Sequence, residues 1–399
     1  MDESVDLWLL GSVLGLTGIG LVMVYSASAV MSFSRFGSDL FLAKRQVGYA
    51  LVGLVAMWMG YRIDHDLYRR QVYRLLLFTF VLLLLVLIPG VGRKVGGARR
   101  WFRLGGLSFQ PSELAKFVLA AYLSASAAAK AGKIDRFAVG FLPHMLVASL
   151  MVVLVLAQPD LGTSVLLMSM TMVVLFAAGT KLVYIVTAVM AATPVAWYAI
   201  VGSQWRMRRL LAFFAPEAHR RGAGYQVFES MVTLGSGGWS GLGLGQGRQK
   251  LFFLPEGHTD FIFPVIGQEL GLIGLVLVIG LLALFLWRGL RAALRASDLF
   301  GMYLAFAITT LIGMQALVNM GVVMGLLPTK GLTLPFVSFG GSSLVMTMFS
   351  VGVLLRISSR RPAGVRVKMK HGRRRTSSGG NRRVPARQPD AGLAREVTR

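Results

Sequence analysis

The sequence contains no cysteine among its 399 residues. Disulfide bonds, thiolate metal sites and thiol catalysis are therefore excluded. Charged residues are also scarce, at 15% of the chain, and acids are the rarer sign, with 17 Asp and Glu against 42 Lys and Arg. A soluble domain carries closer to a quarter charged residues, whereas 55% of this chain is hydrophobic. The composition predicts an integral membrane protein.

Two further classes of function lack support. No Walker A sequence occurs, which argues against ATP hydrolysis by this chain, and the five histidines show no metal-ligand spacing. The N-terminus also lacks the basic region of a cleavable signal, since Asp2, Glu3 and Asp6 stand there. We expect the first apolar run to be a permanent membrane span.

Much of the net charge of +25 lies at the C-terminus, where residues 356–399 hold 14 Lys and Arg against Asp390 and Glu396. This composition, rich in Pro, Gly and Ser, predicts a disordered basic tail over residues 358–399. Such a tail suits anionic lipid headgroups, and no nucleic acid is expected as a partner. The alternative is a solvated tail that only enforces topology.

Apolar runs of about 20 residues suffice to cross a bilayer. Ten such runs predict an all-α polytopic membrane protein with ten transmembrane helices: 7–30, 44–61, 71–89, 111–129, 140–157, 161–179, 181–202, 260–287, 298–324 and 336–356. Lys and Arg of the short loops concentrate on one side, together with the basic tail, which predicts that both termini are cytoplasmic. Residues 1–357 then form one membrane domain, with a large extracytoplasmic loop, 203–259, between helices 7 and 8.

Two outer loops carry cations that the topology rule disfavours. One spans Gly90–Gln110 and includes Arg99, Arg100 and Arg103; the other is loop 203–259. Because an arginine fork can bind two oxygens at once, these cations suggest a diphosphate ligand. Attraction to ordinary anionic headgroups is the alternative. Within the second loop, Trp205–Phe214 is patterned as an interfacial helix, and Gly235–Gly247 is more typical of a flexible connector than of a phosphate-binding loop.

The stretch Leu251–Gly274 passes from a polar turn, P-E-G-H-T-D, straight into an apolar run. Asp260 would therefore lie at a helix N-terminus on the outer face, beside free backbone N–H groups and the positive end of the helix dipole. A carboxylate at this boundary is hydrated yet faces a lipid-embedded substrate. The alternative is that Asp260 only caps the helix.

Other polar residues fall inside or beside the spans, where ionisable groups are costly. Glu113 and Lys116 are neighbours on one helix face and are either a self-satisfied pair or a cavity-lining pair. Asp160, in the turn Q-P-D-L-G-T, is expected chiefly to cap the sixth helix. Glu269 lies about 13 Å along the helix from Asp260, with an undecided role. Gln315 and Asn319 share a face and are expected to bond between helices.

Five motifs resemble those of the SEDS family of cell-wall polymerases, in the family's order and over residues 10–357: RWFRLGGLSFQPSELAKF (101–117), QPDLGT (158–163), LPEGHTDFIFPVIGQELGLIG (254–274), QALVNMG (315–321) and PTKGLTLPFVSFGGSS (328–343). The last motif is similar to the division (FtsW-like) branch more than to the elongation (RodA-like) branch. Gly257, Pro264 and Gln268 depart from the usual Ala, Ala and Glu of the division branch.

The resemblance implies a ten-span fold and peptidoglycan glycosyltransferase activity on lipid II during cell division. It places the catalytic aspartate on Asp260, substrate-cavity residues on Glu113 and Lys116, and the family's Q-P-D-L-G aspartate on Asp160; Lys330 is also expected to bind substrate. It implies a class B penicillin-binding protein as transpeptidase partner, further division-complex proteins, and a place in the bacterial inner membrane at the septum.

In the expected reaction, Asp260 takes the proton of an acceptor GlcNAc 4-hydroxyl, which attacks the polyprenyl-diphosphate-linked MurNAc with inversion. A divalent cation, Mg²⁺ or Mn²⁺, is expected, with Asp260 as an alternative ligand for it; no organic cofactor is expected. Two rival functions stay open. A lipid II flippase is suggested by Glu113, Lys116 and Glu269, and a non-catalytic division scaffold is the other.

Overall fold

The computed structural model describes residues 5–95, 97–104, 107–202, 204–215, 222, 224–247, 257–328 and 331–359. Within them, each of the ten apolar runs forms a helix. These ten helices are α1 (Leu7–Phe36), α2 (Phe41–Arg62), α3 (His65–Leu85), α4 (Pro111–Ala129), α5 (Leu142–Ala157), α6 (Leu161–Ala177), α7 (Leu182–Val201), α10 (Ile262–Leu294), α11 (Leu299–Val323) and α12 (Gly341–Ser359). The basic tail and Lys330 lie outside the described residues.

Several of these helices are long and apolar enough to cross a membrane. Five qualify by length and composition within the described residues: Leu7–Phe36, Phe137–Ala157, Ile262–Leu294, Leu299–Val323 and Gly341–Ser359. A helix of 18 residues is about 27 Å long, close to the thickness of the hydrocarbon layer. The protein is therefore a largely helical polytopic membrane protein.

The loops contain structure of their own. The helix predicted over Trp205–Phe214 is present as α8 (Gln204–Phe214), and a second short helix, α9 (Tyr225–Gly235), follows it. The interfacial position of α8 stays a prediction. Residues 93–109 form a small antiparallel sheet of β1 (Arg93–Val95), β2 (Ala98–Leu104) and β3 (Leu107–Phe109), in the order β1-β2-β3. These short strands depart locally from the all-α expectation, because their backbone groups pair with one another.

The core is built around α11, which packs against α4, α6, α10 and α12. Elsewhere α2 and α12 approach so closely that a side-chain carbon at Gly60 would lie 2.4 Å from the carbonyl oxygen of Phe349, and one at Gly352 would lie 2.0 Å from that of Met57. Glycine at such positions lets membrane helices meet backbone to backbone. Close packing of α2, α12 and α11 thus fixes the frame on which the loops rest.

Candidate active site

The polar turn Gly257–Asp260 ends directly before α10. Its first residues, Gly257 and His258, are buried, whereas Thr259 and Asp260 are half-buried. Phe261, not Asp260, occupies the N-cap position of α10, and no side chain accepts a capping hydrogen bond there. Asp260 thus directly precedes the N-cap residue, and the capping alternative stays a prediction. Its carboxylate lies one residue outside the cap, near the positive end of the helix dipole.

The turn is held by α11 and by the segment 331–339. The side-chain amide nitrogen of Asn319 donates to the carbonyl oxygens of Asp260, at 2.8 Å, and of Leu332, at 2.6 Å. The amide of Phe339 donates to the carbonyl of His258 at 2.9 Å. A side-chain carbon at Gly331 would lie 3.3 Å from Oδ2 of Asp260. Glycine there leaves space beside the carboxylate.

A cation from loop 203–259 accompanies this carboxylate. Arg209 of α8 is half-buried; burial lowers the pKa of its guanidinium, and the negative charge of Asp260 opposes that shift. The two side chains are thus electrostatic neighbours of opposite sign. The outer loop was predicted to supply cations for an anionic ligand, and the structure brings Arg209 of that loop to the aspartate.

Glu113 and Lys116, in the first turns of α4, form an ion pair of 2.7 Å. They are only 8% and 4% exposed, so Lys116 does not extend outward to water as one alternative required. Both line a cavity of about 10 Å³ between α4, α11 and α12, together with Leu311, Thr347 and Ser350. The ion pair of the self-satisfied interpretation is therefore present, and the substrate contact of the cavity-lining interpretation stays a prediction.

Gln315 of α11 connects this pair to the turn. Its side-chain oxygen accepts from Nζ of Lys116 at 3.0 Å, and its amide nitrogen donates to the carbonyl of Thr333 at 3.0 Å. One helical turn further along, Asn319 bonds to Leu332 and Asp260. Gln315 thus bonds between helices as predicted, whereas Asn319 bonds to the backbone of two non-helical segments. The polar face of α11 therefore contacts both the Glu113–Lys116 pair and the turn that contains Asp260.

Asp160 fills the role of a helix cap. Its carboxylate accepts from the amide of Thr163 at 3.1 Å, from the hydroxyl of Thr163 at 2.9 Å and from the side chain of Gln110 at 3.3 Å. The residue is 5% exposed. The prediction that it caps α6 is confirmed, and its contact with substrate stays a prediction.

The basic sheet divides its cations between two tasks. The guanidinium of Arg100 donates to the backbone carbonyls of Gln158, at 2.8 Å, and Pro159, so Arg100 anchors the sheet to the turn before α6. Arg100 has no partner residue in the pairing of β2 with β1, so the regular alternation of side chains is interrupted there. Arg103 is exposed and Arg99 half-buried.

Glu269 is fully buried and binds the glycine-rich segment. Its carboxylate accepts from the hydroxyl of Ser26 at 2.8 and 2.6 Å and from the amide of Gly245 at 3.1 Å. Gly245 belongs to Gly235–Gly247, which we call the glycine strap. Glu269 therefore ties α1, α10 and the strap together, a role that the sequence left undecided.

The glycine strap also completes a break in α10. Gly271 has φ 65° and ψ −162°, which interrupts the helix. The amides of Leu272 and Ile273 donate to the carbonyls of Gly238 and Trp239, and those of Leu242 and Gly243 donate to the carbonyls of Gln268 and Glu269. Broken backbone at membrane depth must find partners within the protein. The strap supplies them, so it is more than a connector.

A divalent cation at Asp260 would find few protein ligands. Among the described residues, one group of three or more His, Asp, Glu or Cys side chains has metal-binding spacing: His65, Asp66 and Asp298. That group joins the start of α3 to the start of α11 and excludes Asp260. A single carboxylate still fits Mg²⁺, because this ion is commonly held by one or two carboxylates with substrate phosphates and water.

Comparison with known proteins identifies the chain. Its helices and polar turns define a polytopic membrane protein with an acidic turn at the start of α10. A family model described as cell cycle protein, FtsW, RodA and SpoVE, matches residues 7–362, so the chain belongs to this family. The family expected from the five motifs is confirmed.

Several named relatives cover most of the chain. The probable peptidoglycan glycosyltransferase FtsW of Trichlorobacter lovleyi is 48% identical over 89% of this chain and 93% of its own length. The FtsW of Geobacter metallireducens is 46% identical over 90% and 96%. Stage V sporulation protein E of Bacillus subtilis is 40% identical over 89% and 97%. The FtsW-like assignment is confirmed by these relatives.

Solved structures share the fold. A chain from a study of the structural coordination of polymerization and crosslinking by a peptidoglycan synthase complex matches with a TM-score of 0.76, at 30% identity, over 90% of this chain and 98% of that one. RodA of Thermus thermophilus, a rod shape determining protein, matches with a TM-score of 0.67, at 29% identity, with the same coverage.

Proposed function

We propose that this protein is a peptidoglycan glycosyltransferase that polymerises lipid II into glycan strands on the outer face of the cytoplasmic membrane during cell division. Relatives of the same length carry the name of that activity. The observation that carries the assignment in this chain is the position of Asp260. It is half-exposed beyond the helix cap, with Arg209 as its cationic neighbour.

The reaction assigns Asp260 the role of general base. Its carboxylate takes the proton from the 4-hydroxyl of the acceptor GlcNAc while that oxygen forms a bond to C1 of the donor MurNAc. The bond from C1 to the diphosphate oxygen breaks, C1 inverts, and polyprenyl diphosphate leaves. A positioned base of this kind contributes about 10²–10⁴ in rate.

Negative charge accumulates on the leaving diphosphate and requires cations. Arg209 is the cation that supports this assignment, since it already lies in the field of Asp260. We assign further substrate contacts to Arg99, Arg103 and Lys330. Arg100, Asp160, Glu113 and Lys116 shape the substrate site, because their polar atoms also serve the turns and helices beside it.

A divalent cation, Mg²⁺ or Mn²⁺, is proposed to act with the donor diphosphate. Asp260 is the side chain of this site that would hold it, and the donor set of one carboxylate fits an ion that shares its ligands with phosphate. When bound, the ion neutralises charge on the diphosphate. Arg209 and the dipole of α10 orient the same anion from the protein side.

The proposed topology has ten spans, formed by α1–α7 and α10–α12, with both termini in the cytoplasm. Loop 203–259 then lies outside, and residues 1–357 form one membrane domain followed by the basic tail. Membership of the family supports a location in the bacterial inner membrane. The division septum follows from the similarity to FtsW proteins.

A class B penicillin-binding protein is the proposed partner. The structure neighbour from a peptidoglycan synthase complex couples polymerization to crosslinking, which supports the pairing of this chain with a transpeptidase. Lipid II is the proposed substrate, and other division proteins are proposed to join the assembly.

The flippase alternative rested on ionisable groups inside the membrane. Glu113 and Lys116 neutralise each other, and the cavity beside them, about 10 Å³, has room for about one water molecule. Glu269 is engaged by Ser26 and Gly245. None of these contacts describes a passage for a glycolipid, so polymerisation is the function that the geometry favours.

The test is the conversion of lipid II to glycan by the purified full-length protein, with and without its transpeptidase partner. Asp260→Asn keeps the size and polarity of the side chain but removes the base, so we expect the rate to fall by at least about 10²-fold. Asp298→Asn is the matched control, since Asp298 precedes α11 and caps it from the other end of the molecule. A normal rate for Asp260→Asn would refute the assignment.

A further inference from the structure

Asn319 is the side chain that joins the two backbone segments surrounding Asp260. It lies in the last two turns of α11 and is 3% exposed. Both hydrogens of its amide group are used, one on the carbonyl of Asp260 and one on that of Leu332. One buried side chain therefore holds the turn 257–260 against the segment 331–339.

The contact is directed at the backbone of the reacting residue itself. Because the carbonyl of Asp260 is pinned by a bond of 2.8 Å, the Cα of Asp260 cannot move away from α11 without breaking it. Gly331, next to Leu332, lies beside the carboxylate of Asp260. The second bond of Asn319, to Leu332, thereby fixes the position of the backbone next to that carboxylate.

The geometry requires an amide at this position. Two carbonyl oxygens need two donors, and the carbonyl end of the Asn319 side chain, Oδ1, is buried without a hydrogen-bond partner among the described residues. An aspartate would present oxygen to both carbonyls and repel them. An alanine would remove the donor that each carbonyl now receives from Asn319.

We infer that Asn319 is a positioning residue of the glycosyltransferase reaction, which sets the location of the Asp260 carboxylate through the Asp260 and Leu332 backbones. The inference rests on the proposed function for the step that Asp260 performs. It goes beyond it by assigning to α11 the placement of the base. Misplacement of a catalytic group by about 1 Å costs on the order of 10²-fold in rate.

The experiment compares Asn319→Ala and the isosteric Asn319→Asp with Thr309→Val in the purified full-length protein. Thr309 is buried on the same helix, and its hydroxyl bonds within that helix, to Ala305, so it controls for a loss of packing in α11. Two quantities are measured: kcat and KM for lipid II, and amide hydrogen exchange of residues 257–263 and 331–340.

We expect both Asn319 variants to lower kcat by about 10- to 100-fold with KM changed less than threefold, and to speed exchange in both segments. Thr309→Val should leave kcat and this exchange pattern as in the unmodified chain. If Asn319→Asp, which preserves volume, keeps normal kcat while Asp260→Asn is inactive, the positioning role is wrong and the proposed function stands.

If instead Asp260→Asn polymerises normally, the proposed function fails first. The exchange measurement then still tests whether Asn319 holds the two segments together, because it does not depend on activity. Unchanged exchange at 257–263 and 331–340 in both Asn319 variants would overturn the inference in either case.

Discussion

The buried ion pair of Glu113 and Lys116 is costly to desolvate, yet it also connects α4 to α11. Both side chains are more than nine-tenths buried, where a lone charge is expensive. Their mutual contact at 2.7 Å and the bond from Lys116 to Gln315 compensate for the lost water. Through Lys116, the pair bonds α4 to Gln315 on the polar face of α11.

Removal of one partner is expected to be worse than removal of both. Glu113→Gln leaves Lys116 as an unbalanced buried cation and should lower the free energy of unfolding by roughly 3–5 kcal/mol. The double variant Glu113→Leu with Lys116→Met should lose less than either single variant. Thermal unfolding of the detergent-solubilised proteins measures this, and a double variant as unstable as the sum of the singles would contradict it.

Asp160 and Asp260 show what single positions reveal before a structure exists. Each acid follows a turn and precedes an apolar run, so the sequence marks both as candidates for a cap or for chemistry. The difference depends on where the helix begins: at Leu161, directly after Asp160, but at Ile262, two residues after Asp260. Asn319 and Phe339 hold the turn before Ile262, and the local sequence pattern does not contain these contacts.

Among the helices, α10 depends on a partner from elsewhere in the chain. Its first nine residues, which follow Asp260, are separated from the remainder by Gly271, and the glycine strap bridges the break with backbone hydrogen bonds on both sides. The orientation of this first segment is therefore set by the strap and by Glu269, and not by a continuous helical ladder.

Gly271 should accordingly tolerate no side chain. Gly271→Ala would force a residue other than glycine into φ 65°, ψ −162°, and its side-chain carbon would lie 2.3 Å from the amide nitrogen of Gly241. We expect a loss of at least about 2–3 kcal/mol in unfolding free energy. Gly280→Ala in the same helix, with open space around it, should change stability by less than about 1 kcal/mol. Thermal unfolding compares the two, and equal effects would refute the role of the strap.

The positions of the ten apolar helices could be predicted because their length and composition are local properties. The role of the glycine strap could not be predicted, since it depends on hydrogen bonds between residues 238–243 and residues 268–273, which are distant in sequence. The sheet of residues 93–109 and helix α9 were missed for a related reason: short elements in a basic or glycine-rich loop have weak periodicity. The site was predictable as a set of candidate residues, but not as a network through Gln315 and Asn319.

At the scale of the whole molecule, the polar contacts segregate to two ends. At one end, Asp6 before α1 bonds to Arg288 of α10, and His65 at the start of α3 bonds to Asp298 before α11. Asp160 and Asp260 lie in turns that belong to the other end, and Arg100 of β2 bonds to the turn before α6. The proposed topology assigns the first end to the cytoplasm and the second to the outer face.

Because the chain has no cysteine, this orientation can be measured by introducing one cysteine at a time and labelling its thiol. Ser240→Cys, exposed in the glycine strap, should react with a membrane-impermeant maleimide added to intact spheroplasts. Ser377→Cys, in the basic tail, should react only after lysis. Labelling of Ser377→Cys in intact spheroplasts, with Ser240→Cys protected, would show that the orientation is opposite to the proposed one.

The contact of Asp6 with Arg288 has a consequence for how the protein is made. Its partners are separated by 282 positions, and α1 packs against α10 as well as α2. At about 5–20 residues per second of synthesis, the first helix waits on the order of 15–60 s beside the translocon before the helix that secures it emerges. The helix α1 is thus synthesised well before the contact that secures it to α10 can form.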